Sequence, residues 1–214
     1  MHFTNAAVAQ VFSEYERRNI DEQAKLAALG NTLHARRDEF LLPIGPEVGR
    51  FLHSLILAKR PARVLELGTS YGYSTLFLAD AVKQTGGRMV TMDLADYKQA
   101  HARAMLDKAG ISDVVEFRRG DAVAMIDADS GPFDFVLLDI WKELYVPCLR
   151  AVYPKLSDEG IIAADNIIEP PMWREDARKY RSAVGSLPGM QSALIPIGNG
   201  IELSVKWSAA NTKL

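Results

Sequence analysis

From Arg63 onward the chain alternates short apolar runs with longer amphipathic ones, and this alternation restricts the fold more than any other feature. Val64-Leu65-Glu66-Leu67 reads as a strand and Tyr73 to Lys83 as a helix. Arg88 to Asp93, Val114 to Phe117, Phe133 to Leu138 and Gly160 to Ala164 repeat the strand pattern. Helices are expected between and after them, over Lys98 to Ala109, Ala122 to Ile126, Pro147 to Leu156 and Arg174 to Val184. Strands alternating with helices build βαβ units and a parallel sheet. The pattern changes near the end, where Ser192 to Ile197 and Gly200 to Trp207 read as strands around Gly198-Asn199-Gly200. Asn-Gly between extended segments favours a hairpin, hence an antiparallel edge.

The expected class is α/β, a Rossmann-like, doubly wound, mostly parallel sheet with an antiparallel C-terminal hairpin and helices on both faces. At 214 residues the chain suits a single domain. Residues 61–207 would form the core. Residues 1–60 would supply helices, Asn5 to Gly30 and Pro46 to Lys59, that cover one sheet face. The stretch Leu41-Leu42-Pro43-Ile44-Gly45 between them would roof a pocket.

A net charge of −2 gives no bulk attraction to phosphate backbones or anionic lipid. Cys148 is the only cysteine, so no intrachain disulfide can form. Met1 to Ile20 has no apolar core followed by a cleavage site, and no apolar run reaches the ~20 residues of a membrane span. The expectation is a cytoplasmic protein acting on a small molecule, without nucleic acid or membrane, and with a homodimer left open. His2, His34, His53 and His101 show no metal spacing; His34 is the one that could approach a substrate.

In open α/β sheets ligands sit beyond the carboxyl ends of the strands. The first such turn is Gly68-Thr69-Ser70-Tyr71-Gly72, followed by Tyr73-Ser74. It is G-x-x-x-G, with Ser70 where a dinucleotide fingerprint has its second glycine, so a pyrophosphate would find a poor cradle. Asp93 closes the second strand, where an acid can accept hydrogen bonds from both ribose hydroxyls. Gly120-Asp121-Ala122 follows the third and would face an adenine. Each signal alone is ordinary turn chemistry. Together, in this order, they favour a nucleoside ligand without phosphates.

Asp139 follows the fourth strand, and Asp165-Asn166 follows the fifth. Neighbouring strand ends lie roughly 5 Å apart, so these side chains could meet. Two carboxylates and an amide oxygen make a hard oxygen set suited to Mg²⁺ rather than zinc or copper. The alternative is local: Asp165-Asn166 caps the next helix and Asp139 is a lone strand-end acid. Lys142 would stand beside the metal and a cationic ligand. Both favour its neutral amine, which makes it a candidate general base, while a solvated surface lysine is the alternative. Trp141 and Tyr145 would wall a pocket or sit in the core.

At this point the sequence resembles the metal-dependent catechol O-methyltransferases, S-adenosylmethionine-dependent enzymes of class I. The resemblance lies in Leu65-Glu66-Leu67-Gly68 with Gly72-Tyr73-Ser74, in Thr91-Met92-Asp93, in Leu138-Asp139-Ile140-Trp141-Lys142 with Tyr145, and in Ala164-Asp165-Asn166-Ile167-Ile168 with Pro170. It runs from about Phe40 to Trp207. It implies that Glu66, Gly68, Ser70, Gly72, Ser74, Asp93, Asp121, Ala122 and Asp139 hold the donor, with Ile44 and Leu94 packing against it. It implies Mg²⁺, or another divalent cation, on Asp139, Asp165 and Asn166, with Lys142 as base. Phe40, Leu42, Trp141 and Pro170 would flank a catechol-like acceptor, with Lys142 and Asn166 also touching it. Three positions depart from the pattern. Ile140 stands where the mammalian-type enzymes have His, and no acid near Ser192-Ala193-Leu194 matches the glutamate that holds the second hydroxyl. Glu169, beside Pro170, is not at that position.

Two other readings remain at this level. One is a related enzyme acting on a coenzyme A ester or a hydroxylated tRNA base, with Arg36, Arg37, Arg118 and Arg119 meeting a polyanion. The other is a donor-binding scaffold without turnover, against which Lys142 and the metal set argue.

Overall fold

The computed structural model describes residues 3–29 and 36–207. The expectation for His34 lies outside the described residues, as do His2 and the side chain of Arg37. The strands are β1 (Arg63–Leu67), β2 (Arg88–Asp93), β3 (Val115–Arg119), β4 (Phe133–Leu138), β5 (Leu156–Ala164), β6 (Met190–Ile195) and β7 (Ile201–Lys206). Among the described residues they form one sheet in the order β3-β2-β1-β4-β5-β7-β6. Strands β3 to β5 along this order pair in parallel, and β7 pairs antiparallel with both β5 and β6. The order reverses between β1 and β4, which opens a crevice at their carboxyl ends.

Helices α1 (Ala6–Leu29), α2 (Pro46–Lys59), α3 (Tyr73–Thr85) and α4 (Asp96–Ala109) precede β3, and α5 (Ala122–Ala128), α6 (Tyr145–Val152) and α7 (Arg174–Gly185) follow it. The period of two along each strand sorts them onto the two faces. Val64, Met89, Phe135, Leu137, Ile161 and Ala163 pack with Val8, Val11, Leu52, Ile56, Leu76 and Leu106, so α1 to α4 cover one face. Leu65, Leu67, Val90, Val136, Leu138 and Ile162 pack with Ile126, Tyr145, Cys148, Leu149, Tyr180 and Val184 on the other. Strands buried on both faces read as near-continuous apolar runs, as in Phe135-Val136-Leu137-Leu138 of β4, while Asp134 near its start accepts the Arg63 N–H.

Local chemistry shifts several boundaries. Asn5 caps α1, its Oδ1 accepting the Ala7 N–H at 2.9 Å. Helix α6 starts at Tyr145, ahead of the expected Pro147; proline is tolerated there because first-turn N–H groups have no helical partner. Strand β5 begins at Leu156 rather than Gly160, because Leu156 pairs with Phe133 across a register shift, with Glu159 at φ 63°. The hairpin forms, but its strands end at Ile195 and resume at Ile201, so its loop is longer than an Asn-Gly pair.

The N-terminal layer also reaches the crevice. Tyr15 Oη donates to Tyr71 O at 2.6 Å, and the Arg18 guanidinium lies 4.0 Å from the centre of the Tyr71 ring. The Leu41 N–H donates to Glu22 Oε2 at 2.7 Å, Tyr71 Oη to Asp38 O at 3.2 Å and Lys98 Nζ to Asp38 Oδ1 at 3.0 Å. Residues 38–44 are thereby tied down beside the β1–α3 turn. Phe40, Leu41 and Ile44 are buried, while Leu42 is 49% exposed. Among the described residues, no helix is long and apolar enough to cross a membrane.

Candidate active site

Glu66 is wholly buried on β1 and does not face open space. Its Oε1 accepts from Ser74 Oγ at 2.6 Å, and its Oε2 accepts from Thr75 Oγ1 at 2.7 Å and Thr91 Oγ1 at 2.6 Å. Thr91 also meets Thr69 Oγ1 at 2.6 Å, and Gln99 Nε2 donates to Thr69 Oγ1 at 3.1 Å. A chain of hydroxyls therefore ends on the Glu66 carboxyl and fixes the β1–α3 turn from beneath. Burial pushes that carboxyl up to about 7, against the three hydroxyl donors, with Asp139 adding to the rise.

Above this base lie Gly68, Ser70 and Gly72, all with positive φ. A Cβ on Gly68 would stand 2.0 Å from Asp139 O, and one on Gly72 would stand 2.7 Å from Ala102 Cβ. The chain's own packing thus demands both glycines, whatever binds beside them. Asp93, half-buried at the end of β2, accepts the Ser70 N–H at 2.7 Å and the Ala95 N–H at 2.8 Å. Each carboxylate oxygen keeps a lone pair beyond these bonds. Leu94 beside it is 67% exposed. Asp121 caps α5 by accepting the Ala124 N–H at 2.8 Å, which sets Ala122 at the first turn of that helix.

The β4 and β5 tips bring the second group together. The Asp139 N–H donates to Leu67 O at 3.0 Å and the Asp165 N–H to Leu138 O at 3.1 Å, so the parallel ladder holds both residues past their strands. Asp165 is 1% exposed, and neither of its carboxylate oxygens has a hydrogen-bond partner. Such groups are costly, about 1–3 kcal/mol or more when charged, and call for an explanation. Lys142 is also buried; its amine donates to Asn166 Oδ1 at 3.0 Å, to Ile140 O at 3.4 Å and to Tyr145 Oη. Burial pushes the amine down, opposed by the charges of Asp139, Asp165 and Glu143. Burial pushes both carboxyls up; Asp139 drives Asp165 further, while Lys142 pulls against each rise.

A cation fits this place. The orphaned Asp165 oxygens, the half-buried Asp139 and the Asn166 amide oxygen form a hard set that a divalent ion would neutralise. Among the described residues no three His, Cys, Asp or Glu side chains cluster as a metal site, and the oxygen beside the two carboxylates is that of the Asn166 amide.

Trp141 is 36% exposed and Pro170 is exposed. A groove of about 820 Å³ between α6 and α7 has Lys142, Arg150, Arg178, Lys179, Glu143 and Asp176 in its lining. Arg150, Arg178 and Lys179 are not the cations singled out from sequence. Arg36 pairs with Glu39, and Arg118 is held by Glu116 and Asp129. Across the hairpin, Glu202 lies opposite Leu194. It is buried, and its carboxylate is taken up by Arg181 Nε at 2.9 Å and Ser192 Oγ at 2.5 Å.

Thr75, Thr91 and the hydroxyl of Tyr145 escaped the sequence reading. Thr91 lies opposite Glu66 on β2 and Thr75 sits in the first turn of α3, so both reach the carboxyl only once β2 and α3 are folded against β1.

A family model described as "O-methyltransferase" matches residues 17–207. A catechol O-methyltransferase of Niastella koreensis is 28% identical over 191 residues, covering 82% of this chain and 84% of that protein. Caffeoyl-CoA O-methyltransferase 5 of Nicotiana tabacum is 27% identical over 184 residues, covering 76% of each. An O-methyltransferase of Bacillus cereus solved in complex with SAH superposes with a TM-score of 0.76 at 21% identity, covering 92% of this chain and 90% of that one, which shows the shared fold.

Proposed function

This chain belongs to the S-adenosylmethionine-dependent O-methyltransferase family, and on that premise we propose that it methylates one hydroxyl of a catechol-type small molecule with the help of a divalent cation, Mg²⁺. The observation behind this reading is the buried Asp165 carboxylate without a partner, beside Asp139, Asn166 and the buried amine of Lys142.

Asp139, Asp165 and Asn166 would hold the ion, which when bound acidifies a coordinated hydroxyl and fixes its direction. Gly68, Ser70, Gly72, Asp93, Leu94, Asp121, Ala122 and Ile44 would line the donor, while Glu66 and Ser74 keep the turn rigid beneath it. Lys142 takes the proton from the hydroxyl to be methylated. Its buried amine suits the role, because loss of solvent favours the neutral form. Trp141 and Pro170, with Phe40 and Leu42 from the roof, would bracket the acceptor ring.

A second reading is an acceptor with an anionic tail, such as a coenzyme A ester. The groove lined by Lys142, Arg150 and Arg178 favours it, and a caffeoyl-CoA enzyme is among the relatives. A methylation assay on catechol and on a catechol-bearing coenzyme A ester, each with chelator and with Mg²⁺ restored, tests both. Catechol turnover that stops with chelator and returns with Mg²⁺ supports the first. Turnover of the ester alone, lost in Arg178→Ala, supports the second, and turnover indifferent to chelator removes the metal from either.

A further inference from the structure

Tyr145 opens α6 and is wholly buried. Its hydroxyl accepts from Lys142 Nζ and lies 3.0 Å from Leu138 O and 2.9 Å from Asp165 O. A phenol has one proton, so it donates to one of these carbonyls at a time while accepting from the amine. Leu138 O also receives the Asp165 N–H at 3.1 Å, so the Asp165 carbonyl is the one that depends on Tyr145. The ring itself is held by an edge-on contact with Tyr180, centroids 5.4 Å apart and planes at 74°. Leu138 immediately precedes Asp139, and Asp165 ends the neighbouring strand. One oxygen therefore ties the Lys142 amine to the main chain of both strand tips.

A lysine has a long, rotatable stem, and an amine acts as base only if it is held against the proton it takes. We propose that Tyr145 is a positioning residue, whose hydroxyl keeps the Lys142 amine in register with the β4 and β5 tips so that base and acceptor site form one rigid piece. This rests on the reading of Lys142 as the base.

The test is Tyr145→Phe, which keeps the ring and its contact with Tyr180 while removing the hydroxyl. The expected result is a fall in kcat of ~10- to 100-fold, with KM for catechol and donor affinity by calorimetry within about threefold of the parent. In a Lys142→Ala background the same change should cost less than about twofold more, because nothing is left to position. Tyr180→Phe, which removes a neighbouring buried hydroxyl that does not touch the amine, should keep kcat within about twofold. Full kcat in Tyr145→Phe overturns the proposal, as does an equal further loss without Lys142. A drop confined to melting temperature and ligand affinity also overturns it. Side-chain ¹³C relaxation on the unaltered protein gives a reading that needs no variant to fold: the Lys142 Cε should be rigid, and free averaging there rejects the idea. If Lys142→Ala is itself fully active, the base assignment falls and the proposal falls with it. If only Tyr145→Phe is active, the base assignment stands and the positioning role alone is lost.

Discussion

Lys142 and Asn166 are joined by a 3.0 Å hydrogen bond from amine to amide oxygen. The proposed base and a proposed metal ligand are thus already in contact. A carbonyl oxygen has two lone pairs, so it can accept from the amine and face a cation together.

Lys142→Ala should lower kcat by ~10²- to 10⁴-fold, the range in which a positioned proton acceptor acts. Calorimetry with SAH should give donor affinity within about threefold of the parent. The pH profile carries a sign of its own. Burial pushes the amine below the ordinary lysine range, so its base form appears at lower pH. Turnover should rise with pH through that lowered value and level off above it. A Lys142→Ala protein that turns over normally removes the base assignment.

Asp165→Asn tests the cation by melting instead of activity. Without metal, the variant should melt at or above the parent, because a buried carboxylate lacking hydrogen-bond partners is replaced by a neutral group. Added Mg²⁺ should raise the melting temperature of the parent, by an amount equivalent to ~2.7 kcal/mol at a hundredfold excess over Kd, and leave the variant unmoved. Equal Mg²⁺ responses in the two proteins would count decisively against this ligand.

Glu66 predicts a pH-dependent stability. Its carboxyl is raised from 4.5 to about 7, so the folded chain binds a proton more readily than the unfolded one. The associated stabilisation is complete below about pH 4.5 and is lost as pH climbs through about 7, ~3 kcal/mol at most. Chemical denaturation of Glu66→Gln from pH 4.5 to 8 should show a flatter profile than the parent. Parallel curves would mean that Glu66 titrates normally.

Gly68→Ala should be damaging because the turn has no room for a side chain at that position. The new Cβ would meet Asp139 O at 2.0 Å and sit at φ 101°. Strain of this kind costs ~1–3 kcal/mol, and the clash adds to it. Because the clash is with Asp139 itself, the variant should lose both melting temperature and the Mg²⁺ response. A variant that melts and responds like the parent would show that the turn yields freely.

Much of the sheet was readable because β1, β2, β4 and the end of β5 are largely apolar runs and the helices between them repeat their own period. Those are local signals, and the structure moved their ends by only a few residues. The two carboxylate tips were readable as well, since Asp139 and Asp165 stop their strands in parallel register. What escaped was long-range pairing. Periodicity marks Tyr145 as buried, yet nothing local says that its hydroxyl would reach Lys142 and Asp165 O together. Glu66 is a donor ligand only by what the family resemblance implies, and in the structure its carboxyl is occupied by Ser74, Thr75 and Thr91. That Ser74, Thr75 and Thr91 all aim at it follows only once α3 and β2 are folded against β1. Glu202 shows the same limit: its partner Arg181 comes from a helix, and strand pattern alone names no partner.

Cys148 lies in the core between α6 and the sheet with no exposed surface, and burial pushes its thiol up to about 12. A thiol that is both inaccessible and protonated offers no thiolate to oxidants or alkylating reagents. The native chain is therefore a blank background for cysteine labelling. A single cysteine introduced on the roof segment could carry a spectroscopic probe while the protein's own sulfur stays silent.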